Sequence, residues 1–489
     1  MSNSGPYRGP LEQVDDCRWR IPRSYKPGMR VDGMIFASEA LVDQIKGDQA
    51  PEQVANVACL PGIQQASLAM PDIHWGYGFC IGGVCATDPQ EGGVISPGGV
   101  GYDINCGVRL VRTNLHYRDV KHRIQDLADV LFAQVPAGVG REGRYVFQGR
   151  KMDELLAQGT HFLSQQGLAT DRDLSFTEAT GRMTAARPEE VSHKARQRGA
   201  KQCGTLGSGN HFLEVQIVDA VFDDLAAQAM GLEKDLVCVM IHSGSRGLGY
   251  QVCDDALRSL RGVPERHGIQ LPDRQLACAP IDSLEGQSYL GAMCAAANFA
   301  WCNRQLLMWQ ARECFEAVFG RNWEQLGMEL VYDVAHNIAK LEEHEVAHGE
   351  RRSLWVHRKG ATRAFPAGHR ELPEAYQTIG QPVLIPGDMG RASWVMAGQP
   401  GSMSQTFGSA CHGAGRRMSR TAAVKAAQGR DIQKELLRSG VHARAKSWKG
   451  LAEEQPDAYK DVNQVIDVVH RANLASRVAR MRPIAVVKG

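Results

Sequence analysis

At 489 residues, with a net charge of +2 and 22% charged residues, the chain can bury a large core, and any polyanion must meet local basic patches instead of a global field. Its 13 cysteines are odd in number and none are spaced C-x-x-C, which argues for reduced thiols and against a disulfide framework or zinc ribbon. The segment Met1 to Pro10 lacks the apolar run of a signal peptide and no window approaches a membrane span, so a soluble intracellular protein with no membrane partner is expected.

In chain order, Cys17 to Ser38 reads as short strands with turns, and Glu39 to Ile45 as a short helix. From Leu60 to Gly107 glycine recurs between apolar, strand-like residues, a pattern suited to strands joined by loops that approach a ligand closely. Its last part, Ser96 to Gly107, is a tight glycine loop carrying Asp103 and Cys106. That spacing lets both face one cation, and a thiolate has lone pairs enough to bridge a pair of metals.

Val108 to Val111 leaves this loop as a strand; Val120 to Phe132 and Met152 to Gln166 have helical spacing. Residues 172–201 are polar without periodicity and read as an inserted or mobile basic segment, with a run from His193 to Arg198 suited to phosphates. Three apolar strands then carry a histidine where strand meets loop: His211 before Phe212 to Val218, His242 after Leu236 to Ile241, and His336 after Leu330 to Val334. Three histidines so placed, beside a separate Asp-Cys loop, point to metal ligation. Ser288 to Phe319 reads as one long helix with a recurring apolar face.

Two motifs are set aside. His344 to His348 matches H-E-x-x-H but sits in a charged stretch just before a strand, and Gly138 to Gly143 matches G-x-G-x-x-G without strand-then-helix context. In the last third, Val356 to Arg363 is a strand end loaded with cations. Ser409 to Arg417 sets glycines, His412 and two arginines before a helix spanning Met418 to Gln428, an arrangement suited to a phosphate cradle with a histidine nucleophile. No G-x-x-x-x-G-K-[ST] and no K-x-D-G occur, so covalent nucleotide activation would need something other than those lysines.

The chain resembles the RtcB family of tRNA-splicing RNA ligases over nearly its whole length. The resemblance rests on Gly78 to Gly82, Ser96 to Arg109, Gly204 to Glu214, His242 to Gly249, His336 to Lys340, His357 to Pro366, His412 to Arg416 and Arg482 to Gly489. Length and terminal segments are more similar to archaeal and eukaryotic members than to the shortest bacterial ones. It implies an α+β (mixed α/β) fold, one catalytic domain over 1–489, with strands carrying a central two-metal site and helices peripheral.

It further implies two Mn(II) ions, one held by Asp103, Cys106 and His211 and the other by Cys106, His242 and His336, although a Cys/His/Asp set by itself suggests zinc. The GTP site would comprise Asn210, His211, Phe212, Leu213, Glu214, His336, Asn337, Pro386, Gly387, Asp388, Met389, Ser393, His412, Gly413, Ala414, Gly415 and Lys488. His412 would be the catalytic residue that takes GMP from GTP. Asp388 departs from the small residue the family usually has there. Arg246, Arg358, Lys359, Arg363 and Arg416 are candidates for RNA or phosphate contact. The expected activity is GTP- and Mn(II)-dependent joining of RNA 2′,3′-cyclic phosphate or 3′-phosphate ends to 5′-hydroxyl ends in tRNA splicing or RNA repair, with RNA and an archease-like activator as partners. Its expected place is the cytoplasm, and the nucleus as well in a eukaryote. The alternatives are a two-metal cyclic-phosphate hydrolase and a metal-stabilised RNA-binding scaffold.

Overall fold

A computed structural model describes residues 5–346 and 349–489. Two mixed sheets organise the chain. The larger runs in the order Glu329–Ala335, Gly107–His116, Leu236–Ser243, Phe212–Val221, Ala475–Lys488, Ser393–Gly398, Pro382–Ile385, and His442–Ala445 pairs in parallel with Ala475–Lys488. The other runs Glu12–Asp15, Arg18–Ile21, Asp32–Phe36, Ala66–His74, Ile81–Thr87, Arg351–Lys359, Asn337–Glu345. The expected mixed α/β class therefore holds, in one domain.

The registers place the candidate ligands. Gly107–His116 pairs antiparallel with Leu236–Ser243 (Val108 opposite His242), which pairs antiparallel with Phe212–Val221 (Phe212 also opposite His242). Cys106 and His211 immediately precede the starts of their strands, while His242 lies near the end of its strand and His336 just past another, so antiparallel pairing gathers all four at one end of the sheet. At His336 the chain leaves the edge of the larger sheet and begins the edge strand of the other. The site thus lies where the two sheets meet.

Helix Leu284–Phe319 begins at Ser283, whose hydroxyl accepts from the Gly286 N–H, and ends at Gly320 with φ of +67°. A single apolar face was expected; instead every residue from Tyr289 to Met308 is buried, so this helix is central and not peripheral. Its polar residues serve the loops around it: Asn298, Asn303, Arg304 and Gln305 all bond groups outside the helix. The stretch expected as one helix from Met152 to Gln166 is two, Arg150–Gln158 and Thr160–Ser164, because Gly159 at φ of +58° breaks it.

Within residues 172–201, Asp173 pairs with Arg312 at 2.9 Å and Glu178 with Lys340 at 2.5 Å, all four buried, and helix His193–Gly199 packs on helix Arg246–Ser259. His344 and Glu345 lie in the strand Asn337–Glu345, so the H-E-x-x-H match starts in a strand; its last histidine lies outside the described residues. Gly138 to Gly143 is loop. Among the described residues, no helix is long and apolar enough to cross a membrane.

Candidate functional site

The loop before Gly107 is held from below by the central helix. Asn105, at φ of +53°, donates through its side chain to the Ala297 carbonyl at 2.7 Å, and the Arg304 guanidinium donates to the Asn105 and Ser243 carbonyls at 2.6 and 3.0 Å. Arg304 and Arg109 share the buried Asp333 at 2.8 Å each. Asn303 donates to the Gly244 carbonyl and accepts from the Gly204 and Thr205 N–H groups. Two adjacent helix residues therefore tie together the loops that carry Cys106, His211 and His242.

What these loops present is a continuous chain of donor atoms. His211 Nε2 lies 2.9 Å from Asp103 Oδ2 and 3.3 Å from Cys106 Sγ; Cys106 Sγ lies 3.3 Å from His242 Nε2, which lies 3.3 Å from His336 Nε2. The ligand atoms of Cys106, His211 and His242 all fall within 4.8 Å of one another, and all three residues are buried. His211 Nδ1 is taken by the Leu206 carbonyl at 2.9 Å, which fixes the ring so that Nε2 faces the sulfur.

Electrostatics favours a bound cation here. Burial, then the neighbouring imidazoles, holds His242 and His336 well below the usual histidine range, so both are neutral and ready to donate a lone pair. Burial and the adjacent Asp103 push the Cys106 thiol well up, so without a cation the sulfur keeps its proton. Burial alone would raise Asp103, but the His211 ring and Arg246 more than reverse this and hold the carboxyl below its usual range. A soft thiolate, neutral imidazoles and one ionised carboxylate fit one or two divalent transition-metal ions, and His336 Nδ1 is buried with no partner.

Next to this cluster opens a cleft of about 1060 Å³. Asp103, Cys106, His242, His336 and His412 all line it, and the His336 and His412 rings stand 4.8 Å apart, so the histidine sits directly beside the cluster. His412 Nδ1 lies 2.5 Å from Asp72 Oδ2, which also accepts from the His412 backbone N–H at 3.2 Å; this leaves Nε2 as the free ring nitrogen. Asp72 is itself anchored: Lys460 Nζ donates to the carbonyls on either side of it, Ile73 at 2.6 Å and Pro71 at 3.3 Å, and His74 Nδ1 bonds its carbonyl. Gly415 is required, because a Cβ there would stand 2.3 Å from the Asp72 carbonyl oxygen.

Most of the nucleotide-site expectation converges on this cleft: Asn210, Phe212, Glu214, Asn337, Pro386 to Met389, His412 to Gly415, Arg416 and Lys488 line it. Alternation along the strand puts Phe212 and Glu214 in the wall while Leu213 goes into the core. Ser393 lies beneath the lining, its hydroxyl accepting from the Gln216 side chain at 3.1 Å and the Gly387 N–H at 3.4 Å. Burial raises Glu214 to about 7, against the Gln216 hydrogen bond and the Lys488 charge, and raises Asp388 to about 6. Lys488 Nζ stands 5.6 Å over the Phe212 ring.

The cationic residues divide. Arg416 lines the cleft, bonded to Glu454 at 3.1 Å and to Tyr459, and Arg246 reaches Thr205 at 3.3 Å beside the Asp103 loop. Arg358 and Arg363 turn inward instead: Arg358 forks onto Glu342 at 2.7 and 2.8 Å and Arg363 bonds Gln381 and Glu371, both guanidiniums buried. Lys359 is also buried, giving its ammonium to the Tyr77 and Phe79 carbonyls. These three hold structure and are closed to RNA as they stand. Asp72, Lys460, Asn303 and Arg304 were missed from sequence because each acts on residues far along the chain; His74, Arg420, Glu454 and Tyr459 complete the cleft unpredicted.

Comparison with known proteins agrees with this geometry. The family model described as tRNA-splicing ligase RtcB matches residues 53–489. The chain is 55% identical over 481 residues to a tRNA-splicing ligase RtcB of Archaeoglobus fulgidus, covering 98% of this chain and 99% of that protein. It is 55% identical over 480 residues to one of Thermococcus kodakarensis, with the same coverage, and 49% identical over 481 residues to one of Aeropyrum pernix, covering 98% and 100%.

Proposed function

The chain belongs to the tRNA-splicing ligase RtcB family and is an RNA ligase, and from that premise we propose that it joins RNA 2′,3′-cyclic phosphate or 3′-phosphate ends to 5′-hydroxyl ends, using GTP and Mn(II), through a histidine-GMP intermediate. The observation that carries the reading is His412: a ring nitrogen left free by the Asp72 contact, in a cleft it shares with the Asp-Cys-His cluster, its ring 4.8 Å from that of His336.

Asp103, Cys106 and His211 would hold one ion and Cys106, His242 and His336 the other; when bound, such ions neutralise charge on a phosphoryl group in transfer. The chain's own residues account for the rest. Asp72 accepts the Nδ1 proton of His412, which orients Nε2 and stabilises the ring as it gains charge on attacking the α-phosphorus of GTP. Pyrophosphate leaves, and the glycines of His412 to Gly415 let the phosphate approach the backbone closely. Asp388, whose Oδ2 has only the Arg391 guanidinium at 3.4 Å, lines the cleft where it would face the N–H edge of guanine, and Lys488 and Arg416 supply cations to the triphosphate.

Water opens a cyclic phosphate to a 3′-phosphate; an oxygen of that phosphate displaces His412 and takes the GMP. The 5′-hydroxyl of the second strand then attacks the RNA phosphorus and GMP leaves. An archease-like activator would act on the first step, and the setting would be tRNA splicing or RNA repair.

The test is incubation with Mn(II) and GTP labelled on the α-phosphate, with metal content measured in parallel. Acid-labile label on the His412 peptide is expected. His412→Ala should keep its metal and take no label, and Cys106→Ala should lose both, metal affinity falling more than about 100-fold. No label on metal-loaded protein with activator supplied would leave the cyclic-phosphate hydrolase or the RNA-binding scaffold.

A further inference from the structure

His211 and His336 are held in different ways. His211 has its Nδ1 bonded to the Leu206 carbonyl, whereas His336 Nδ1 is buried with no hydrogen-bond partner. A metal-binding histidine is ordinarily oriented through its second ring nitrogen. His336 has no such hold, so the aim of its ring depends on the backbone to either side. That backbone is where the chain passes from one sheet to the other: the His336 N–H donates to the Cys106 carbonyl at 2.9 Å, and its carbonyl accepts from the Gly360 N–H at 2.7 Å.

One carboxylate grips both sides of this crossing. Glu178 Oε2 accepts from the N–H of Ala335, just before His336, at 2.8 Å, and Oε1 accepts from Nζ of Lys340, on the strand that follows, at 2.5 Å. Glu178 is 1% exposed and Lys340 4%, so the pair is a fixed clasp and not a surface contact. Burial would raise the Glu178 carboxyl, but Lys340 and then Arg363, at 3.9 Å, more than reverse this and keep it ionised.

Delivering that carboxylate distorts the chain that carries it. Phe176 and Thr177 lie along the edge of strand Glu329–Ala335: the Phe176 carbonyl accepts from the Asp333 N–H at 3.1 Å, and Thr177 forms a parallel bridge with Asp333. A strand continued along this edge would offer its next carbonyl to the Ala335 N–H. The Glu178 carboxylate takes that place and reaches Lys340 as well. Immediately afterwards the backbone turns left-handed three times in succession, at Ala179 with φ of +54°, Thr180 with +50° and Gly181 with +70°. Non-glycine residues keep such angles only where their surroundings impose them, and strain of this kind gathers at functional sites. Here the Thr160 hydroxyl donates to the Gly181 carbonyl at 2.9 Å, and the Met183 N–H donates to the Asn298 side chain of the central helix at 2.7 Å.

On the two-metal reading of the site, we propose that Glu178 is a positioning residue for His336, and that it thereby sets the affinity of the cation position formed by Cys106, His242 and His336 while leaving that of Asp103, Cys106 and His211 alone. Two full-length double variants test this. Glu178→Leu with Lys340→Met removes both charges and the acceptor for the Ala335 N–H. Glu178→Gln with Lys340→Met removes the same charges but keeps an amide oxygen for that N–H. Neither strands a buried charge, since Arg363 retains Glu371. Each is titrated with Mn(II), free and bound ion being counted by electron paramagnetic resonance.

The leucine variant should bind its second ion about 10- to 100-fold more weakly than wild type, and the glutamine variant within about threefold of it. At a Mn(II) concentration that saturates wild type, the leucine variant should hold one ion and lack the spectrum of an exchange-coupled pair, which excess Mn(II) should restore. The KM for Mn(II) in labelling of His412 by GTP should rise by the same factor, with kcat unchanged. Equal affinities for the second ion in the two variants, or loss of both ions from the leucine variant, overturn the assignment. Wild-type protein that holds fewer than two ions overturns it together with the two-metal reading. Wild-type protein that takes no GMP, while the two variants still differ in their second ion, overturns the ligase reading and upholds the role of Glu178.

Discussion

Asp72 and His412, 340 residues apart, meet at 2.5 Å between Oδ2 and Nδ1, and the same oxygen also receives the His412 backbone N–H. The carboxylate thereby selects the tautomer and the orientation of the ring together. Asp72→Asn, which cannot accept the Nδ1 proton in the same way, should slow formation of the covalent nucleotide by roughly 100-fold or more. Bound metal, measured by mass spectrometry, should be unchanged. Rapid-quench labelling reads the rate, and a variant within threefold of wild type would dismiss Asp72 as an orienting group.

Glu214 gives a pH signature. Burial raises its carboxyl to about 7, so the folded state binds its proton more tightly than the unfolded chain, whose carboxyl ionises near 4.5. The sign is therefore that of a stability contribution complete below pH about 4.5 and lost as pH rises through about 7, in total roughly 3 kcal/mol. Glu214→Gln should flatten urea stability over that window and make the protein more stable than wild type at pH 8. Parallel curves for the two proteins from pH 5 to 8 would contradict this.

Arg358 and Glu342 form a buried fork, with the Arg358 guanidinium also giving to Ser409 and the Phe407 carbonyl. Removing one charge strands the other away from water. Glu342→Gln should therefore cost about 3 to 5 kcal/mol of stability in urea unfolding. RNA affinity of the folded fraction should stay at the wild-type value. An RNA-contacting Arg358 would give the reverse pattern.

The convergence of Asp103, Cys106, His211, His242 and His336 was legible in sequence because its signals are local: an apolar strand, a histidine at its end, a glycine loop with an acid and a thiol. Antiparallel pairing does the rest. The Asp72 contact was not legible, because Asp72 lies within the strand Ala66–His74 and nothing near it names a partner so far along the chain. The cationic stretch from Val356 to Arg363 misled for the same reason. Arg358 and Arg363 resemble phosphate ligands until Glu342, Glu371 and Gln381 are seen to occupy them. The spacing of apolar residues likewise showed an apolar face on the central helix but not that Asn303 and Arg304 are claimed by backbone groups of the loops carrying Cys106, His211 and His242.

The strand Ala475–Lys488 lies between Phe212–Val221 and Ser393–Gly398, and it carries Lys488 into the cleft that also holds His412. In the order of synthesis this strand comes after every other element of both sheets, and its neighbour Phe212–Val221 is translated more than 250 residues earlier. A nascent chain halted before it has its metal ligands and its histidine but an open seam through the middle of the larger sheet. Such a chain cannot close the cleft that Lys488 and His412 share, and it exposes two unpaired strand edges, the mark by which chaperones and proteases recognise unfinished protein.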